Sequence, residues 1–189
     1  MTHNYITNTD LTSRYDGLYV EIGTDRGGSA LHILTHTPCK KLYCVDPYIQ
    51  YDDYRDAINN VTGDSLFNAT RTLLAPFGDR VEMVRDFSDN AVTQIPDNLD
   101  LVYIDGNHAS KFVYNDLKLW YPKVRPGGVI IGDDLVDLSD DTRDENGDVR
   151  IVWAPYCFGF YGVFHALKKF TSEMGITYEL SGKQFLIRK

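Results

Sequence analysis

The stretch Val20-Glu21-Ile22-Gly23-Thr24-Asp25-Arg26-Gly27-Gly28-Ser29 decides the fold. Tyr19 to Ile22 are β-formers, and Ser29-Ala30-Leu31-His32-Ile33-Leu34 opens a helical apolar pattern. The segment therefore reads as a buried strand, a glycine turn and the first turn of a helix. Gly23 and Gly27 permit positive φ or a close approach of backbone to a ligand, as a cofactor-binding loop requires. They are four apart and no lysine comes after them, which departs from both the G-x-G-x-x-G dinucleotide fingerprint and the Gly-Lys-Ser/Thr phosphate loop. A phosphate cradle is not expected here. Glu21, just ahead of the turn, places a carboxylate near the ligand, which suits a cationic group better than a pyrophosphate.

Working outward, Gly17 to Gly23 is the first strand, and Gly27 to His36 the first helix, ended by Thr37-Pro38. Lys41 to Val45, closed by Asp46-Pro47, reads as strand two. From Tyr51 to Phe77 the pattern is helical, with a break at Gly63 and Asp64 as the cap of the main helix. Arg80 to Arg85 is strand three, and Asp86-Phe87-Ser88-Asp89 begins a short helix. Asp100 to Asp105 is strand four and Ala109 to Tyr121 a helix. Pro126-Gly127-Gly128 is a turn, and Val129 to Gly132 is strand five, closed by Asp133-Asp134. This alternation predicts an α/β, Rossmann-like doubly wound sheet with helices on both faces, whose ligands sit beyond the carboxyl ends of the strands. Further on, Phe160, Val163, Phe164, Leu167 and Phe170 fall at helical spacing, and Ile176 to Ile187 reads as a hairpin turning at Ser181-Gly182.

Length and composition restrict the function. At 189 residues, with 43% hydrophobic and 24% charged residues, the chain reads as a single globular domain over 1–189. Residues 1–15 form an arm or lid and 135–158 an insertion or lid, its acidic part, 137–148, being solvated. No apolar run approaches the ~20 residues needed to cross a bilayer, and the polar start is no signal peptide, so a cytoplasmic protein without membrane contact is expected. Cys39, Cys44 and Cys157 lack metal-like spacing and read as reduced structural thiols. A formal net charge of -8 without a basic patch argues against nucleic acid as partner. A homo-oligomer is compatible with the sequence, which does not specify one.

Strands one, two, four and five all end in carboxylates: Glu21, Asp46, Asp105 and Asp133-Asp134. Acids gathered on one edge repel, so the arrangement implies nearby cations or shifted pKa values. A cofactor bearing a sulfonium and an ammonium but no phosphate, S-adenosylmethionine, meets that condition. Gly23, Thr24, Gly27 and Ser29 would form its loop. Asp46, beside Pro47, would grasp a ribose diol, and Asp86, Phe87 and Ser88 lie where an adenine would rest. Asp105, Asp133 and Asp134 offer three hard oxygen ligands suited to Mg²⁺. Tyr48, Tyr51, Trp153, Tyr156, Phe158 and Tyr161 are candidates to wall an apolar or sugar-stacking pocket.

Several of these segments resemble class I S-adenosylmethionine-dependent methyltransferases, in the small-molecule O-methyltransferase branch known as methyltransferase domain 24. Val20 to Ser29 resembles the first motif of that family, and Val45-Asp46-Pro47-Tyr48 its ribose-binding acid segment. Val102-Tyr103-Ile104-Asp105-Gly106-Asn107-His108 and the run from Leu119 to Asp134 resemble its later motifs, so the likeness covers about residues 17–135. The resemblance implies a seven-stranded, mostly parallel sheet with an antiparallel last strand. It also implies Mg²⁺-assisted methyl transfer to a hydroxyl of a sugar, polyphenol or natural product, as in catechol and macrolide-sugar O-methyltransferases. In those enzymes an aspartate after strand four and an acidic pair after strand five hold the metal, here Asp105, Asp133 and Asp134. His108 stands where a catechol-type enzyme has its lysine base. Together with Asp105 it forms the expected catalytic pair. Two other readings stay open: an NAD-dependent oxidoreductase on the same sheet, which the glycine spacing opposes, and a catalytically silent S-adenosylmethionine-binding protein.

Overall fold

The computed structural model describes residues 5–7, 9–49, 63–135, 143–154 and 157–189. In chain order the strands are β1 (Leu18–Ile22), β2 (Lys41–Val45), β3 (Val81–Val84), β4 (Leu99–Ile104), β5 (Val124–Gly132), β6 (Val149–Ala154), β7 (Cys157–Tyr161), β8 (Glu179–Ser181) and β9 (Gln184–Arg188). The helices are α1 (Thr9–Thr12), α2 (Gly28–His36), α3 (Gly63–Leu74), α4 (Ser88–Ala91), α5 (Ser110–Trp120) and α6 (Val163–Met174). Seven strands form one sheet in the order β3-β2-β1-β4-β5-β9-β8. β1 to β5 pair in parallel, and β9 runs antiparallel to β5. The expected Rossmann-like architecture and its reversed last strand are therefore present. The strand order reverses between β1 and β4, which opens a crevice at their carboxyl ends.

Strand alternation divides the core in two. Tyr19, Leu42, Cys44, Leu101, Tyr103 and Ile131 face Ala30, Ile33 and Leu34 of α2, and Ile6, Leu11 and Tyr15 from the N-terminal segment join that layer. Tyr19 Oη donates to the carbonyl oxygen of Tyr15 at 2.6 Å, which fastens the segment to the sheet. Val20, Ile22, Val102, Ile104 and Ile130 face the other way, against Val113, Leu117 and Trp120 of α5 and Leu167 and Phe170 of α6. Strands buried on both faces explain the near-continuous apolar runs of the sequence.

Four local expectations are corrected. Asp64 lies in the first turn of α3 rather than capping it. A Cβ on Gly63 would sit 1.7 Å from the Tyr48 carbonyl oxygen, so glycine permits this close approach. Pro126-Gly127-Gly128 is not a turn ahead of strand five but part of β5, whose register with β4 shifts between Leu99 and Leu101. A Cβ on Gly128 would lie 3.0 Å from the carbonyl oxygens of Leu99 and Asp100, so the glycine permits this close strand contact. Phe160 belongs to β7, not to the next helix. An antiparallel hairpin, β6 with β7, begins within the insertion and runs past it to Tyr161, which sequence reasoning missed. The last residue of its acidic stretch is not solvated, for buried Asp148 accepts from the Ser110 backbone N–H at 2.6 Å and satisfies an orphan donor at the start of α5.

Candidate active site

A cavity of about 600 Å³ opens at the carboxyl ends of β1, β2 and β4. Among the expected residues, Gly23, Thr24, Ser29, Asp46, Pro47, Phe87, Ser88, Asp105, His108 and Asp134 line it. Tyr48 lines it too, whereas Tyr51, Tyr156 and the side chains of Trp153 and Phe158 lie outside the described residues. The backbone around the cavity is held in unusual conformations. Asp25, Tyr48 and Asp134 have φ of 45°, 53° and 53°, and all three border it. Left-handed conformations of non-glycine residues concentrate where a site over-determines the chain.

The loop after β1 sits tightly against the loop after β4. Gly23 has φ 88°, and a Cβ there would fall 2.2 Å from the Asp105 carbonyl oxygen, so only glycine fits without displacing backbone. Gly27 does not border the cavity; with φ 76° it caps α2. Glu21 lies beneath the turn, 1% exposed, and its Oε2 has no hydrogen-bond partner among the described residues. Burial drives the carboxyl well above its ordinary range; the nearby Thr24 hydroxyl opposes this, and the charges of Asp105, Asp46 and Asp25 add to it. A buried, unpaired carboxylate is costly unless a cation or donor completes it. Asp46 Oδ2 accepts from the Asp25 N–H at 2.9 Å and Oδ1 from the Tyr48 N–H at 2.7 Å. Those bonds fix the carboxylate at the cavity wall, and each oxygen retains a lone pair for a ligand hydroxyl.

The expected metal trio is rearranged. Ligand atoms of Asp105, His108 and Asp134 all lie within 4.8 Å of one another. His108 Nε2 is 3.2 Å from Asp134 Oδ2. Asp105 is held well above the usual carboxylate range by burial and by the charges of Asp133 and Asp134. Asp133 does not join this cluster or line the cavity. Its Oδ2 accepts from Tyr103 Oη at 2.6 Å and from Gln184 Nε2 at 2.8 Å, and its Oδ1 from the Asp134 N–H at 2.7 Å. Gln184 Oε1 in turn accepts from the Ile6 N–H at 3.2 Å, so Asp133 anchors a network reaching the N-terminal segment. Sequence reasoning could not separate the two adjacent acids; the positive φ of Asp134 turns it away from its neighbour's course.

His108 is 6% exposed and stacks on Tyr161 of the insertion hairpin, with ring centroids 5.0 Å apart. The Gly162 N–H donates to the His108 carbonyl oxygen at 2.8 Å, so the hairpin fixes both ring and backbone.

At the other end, Asp86 does not line the cavity. Its carboxylate accepts from the Phe87 N–H, Asn90 Nδ2 and Gln94 Nε2, organising the short α4 instead. Phe87 remains 44% exposed beside the cavity. Ser88 donates to Asp116 Oδ1 at 2.5 Å and accepts from Trp120 Nε1 at 2.8 Å. Asp116 was missed in the sequence, although an acid among Val113, Leu117 and Trp120 on the apolar face of α5 is itself a signal.

The cation-seeking Glu21, the glycine turn and the acid cluster suit a positively charged donor and a divalent ion, both of which would relieve the buried negative charge. A family model described as a methyltransferase domain, number 24 of that name, matches residues 20–135. An uncharacterized protein of Acanthamoeba polyphaga mimivirus is 31% identical over 161 residues, covering 79% of this chain and 68% of that protein. Among solved structures, the O-methyltransferase TomG from Streptomyces achromogenes, involved in tomaymycin synthesis and crystallised with S-adenosylmethionine, superposes with a TM-score of 0.63. It shares 14% identity, over 97% of this chain and 79% of that one. An O-methyltransferase from Bacillus cereus in complex with S-adenosylhomocysteine gives a TM-score of 0.62 at 15% identity, covering 96% and 78%. These two likenesses concern the fold. The family match spans more than half of the sequence, and the chain belongs to the methyltransferase domain family.

Proposed function

We propose that the chain is an S-adenosylmethionine-dependent O-methyltransferase, acting on a hydroxyl of a small molecule with the assistance of Mg²⁺. The observation that carries this reading is the unpartnered Oε2 of Glu21, buried under the glycine turn beside a cavity whose size suits a small ligand. The sulfonium donor supplies an activated methyl group, and a divalent cation supplies a Lewis acid that makes the acceptor hydroxyl more acidic. Glu21 contributes negative potential under the cofactor, and Asp46 orients its ribose. Asp105 and Asp134 would hold the cation. With donor and cation both bound, the His108 imidazole would accept the hydroxyl proton, freeing the oxygen's electron pair for the methyl carbon while the carbon–sulfur pair returns to sulfur and the uncharged thioether leaves. The stacked Tyr161 and the Gly162 contact keep the imidazole in place. Such positioning supplies up to ~7–11 kcal/mol of acceleration in favourable cases.

A second reading has its own support. The clustering of His108 with Asp105 and Asp134 would let the imidazole serve as a third metal ligand, a donor set that favours transition metals over Mg²⁺. His108→Ala separates the two. As base, its loss lowers turnover and leaves metal affinity intact; as ligand, its loss weakens metal binding. The function itself is tested by measuring methyl transfer from labelled S-adenosylmethionine to a panel of phenols, sugars and polyols, after chelation and with Mg²⁺ restored. Transfer that vanishes with EDTA and returns with Mg²⁺ is expected. Full activity after rigorous chelation would remove the metal from the mechanism, and cofactor binding without transfer to any acceptor would favour a silent binding protein.

A further inference from the structure

Asp133 lies behind the cavity wall, and the groups that hold it come from both ends of the chain. Gln184, the first residue of β9, is fully buried. A backbone N–H can only donate, so the Ile6 N–H, at 3.2 Å, turns the Gln184 amide with Oε1 toward the N-terminal segment. Its Nε2 then faces Asp133 Oδ2, 2.8 Å away. Tyr103 Oη accepts from the same Nε2 at 3.3 Å and gives its single proton to Asp133 Oδ2. Oδ1 is left for the Asp134 N–H. Asp134 is thereby held at a φ of 53°, with its Oδ2 3.2 Å from His108 Nε2. The backbone on either side is pinned, because the Asp133 N–H donates to the Ile104 carbonyl oxygen and the Leu135 N–H to that of Lys183. Ile6 itself packs with Tyr103 and Leu186 in the core layer on the α2 side.

We propose that docking of the N-terminal segment and binding of a divalent cation at Asp105 and Asp134 are one coupled equilibrium, with Gln184 as the positioning residue between them. The inference rests on the proposed cation site. With Ile6 in place, the Gln184 amide presents its NH₂ group to Asp133, and Asp133 holds Asp134 in its left-handed conformation beside Asp105 and His108. With Ile6 withdrawn, water reaches the amide and the carboxylate, their bonds lose the low-dielectric surroundings that strengthen them, and Asp134 relaxes. Such coupling is reciprocal: the factor by which docking raises cation affinity is the factor by which the cation favours docking.

The test uses Mn²⁺, whose binding is followed by electron paramagnetic resonance; the binding that Asp134→Ala abolishes defines the site. Backbone hydrogen exchange around Ile6 is then measured in the wild-type chain with and without saturating Mn²⁺. Exchange there is expected to slow by about fivefold or more, beyond any change in α6. Unchanged exchange around Ile6 in a protein that binds Mn²⁺ through Asp134 overturns the inference and leaves the cation site standing. Absence of Mn²⁺ binding that depends on Asp134 overturns the cation site and the inference together. Gln184→Met keeps the length of the side chain and removes the amide. Its Mn²⁺ affinity is expected to fall by about fivefold or more, while S-adenosylhomocysteine affinity in the chelated protein holds. An equal loss for both ligands would make Gln184 a packing residue and overturn its positioning role. The wild-type exchange measurement needs no variant to fold.

Discussion

Replacing Gly23 by alanine tests the central loop most severely. The new Cβ would lie 2.2 Å from the Asp105 carbonyl oxygen, 2.5 Å from Gly106 Cα and 2.6 Å from the Asp105 carbonyl carbon. These are backbone atoms at the end of β4, so no side chain can swing aside. The φ of 88° adds a left-handed penalty of about 1–2 kcal/mol for a residue with a Cβ. Forcing the two loops apart adds about 1–3 kcal/mol by the usual cost of overpacking. The sum, about 2–5 kcal/mol, corresponds to a fall in Tm of roughly 4–20 °C for a domain of this size. S-adenosylhomocysteine affinity is expected to drop about tenfold or more as well, since about 1.4 kcal/mol of displaced geometry suffices for that. Gly28→Ala is the control: among the described residues, nothing beyond its chain neighbours and its own helix backbone lies within 4 Å of the place its methyl group would take, and alanine is the better helix former, so stability is expected to hold or rise. Urea denaturation and ligand titration of both variants provide the assay. A Gly23→Ala protein within about 0.5 kcal/mol of wild type would refute the close-approach argument.

Three further outcomes are expected. Glu21→Gln removes the negative charge under the turn and should weaken S-adenosylhomocysteine binding by about tenfold or more; unchanged affinity would show that Glu21 does not face the cationic part of the ligand. Burial, reinforced by Asp89 and partly offset by the Ser88 hydroxyl, raises Asp116 to about 7, above its unfolded value. The native state therefore holds this proton longer than the unfolded chain, and its contribution to stability falls as pH rises from about 4 to about 7. Asp116→Asn should gain on the wild type by about 2–4 kcal/mol between pH 5 and pH 8, and a pH-independent difference in denaturation midpoint would contradict this. Asp100 accepts from the Leu18 N–H at 2.8 Å and from Arg125 Nε and Nη2 at 2.8 and 2.7 Å. Asp100→Asn should cost about 1–3 kcal/mol in chemical denaturation, and a neutral result would show those donors find water instead.

The sheet was legible because its central strands are buried on both sides and must read as apolar runs, with β1, β2, β4 and β5 stopped by an acid or glycine at the rim. Glu21, Asp46 and Asp105 could be placed because a strand's end fixes the level of its last side chain. Residues beyond a strand end were less legible. Asp133 and Asp134 are chemically identical in sequence, and only the distant Tyr103 and Gln184 decide that the first turns inward. Asp86 reads in sequence as a wall residue, but local amides occupy it, and Asp116, tied to Trp120 through Ser88, lines the cavity instead. The β6–β7 hairpin escaped notice because Phe160 falls by coincidence on the period of α6.

The most direct measurement is calorimetric titration of S-adenosylhomocysteine into the chelated wild-type protein, repeated with Mg²⁺. Saturable binding of one ligand per chain is expected in both conditions, with a separate heat for the metal that Asp134→Ala abolishes. No ligand heat up to about 1 mM, the upper end of ordinary enzyme affinities, would contradict a sheet edge built to receive a sulfonium donor.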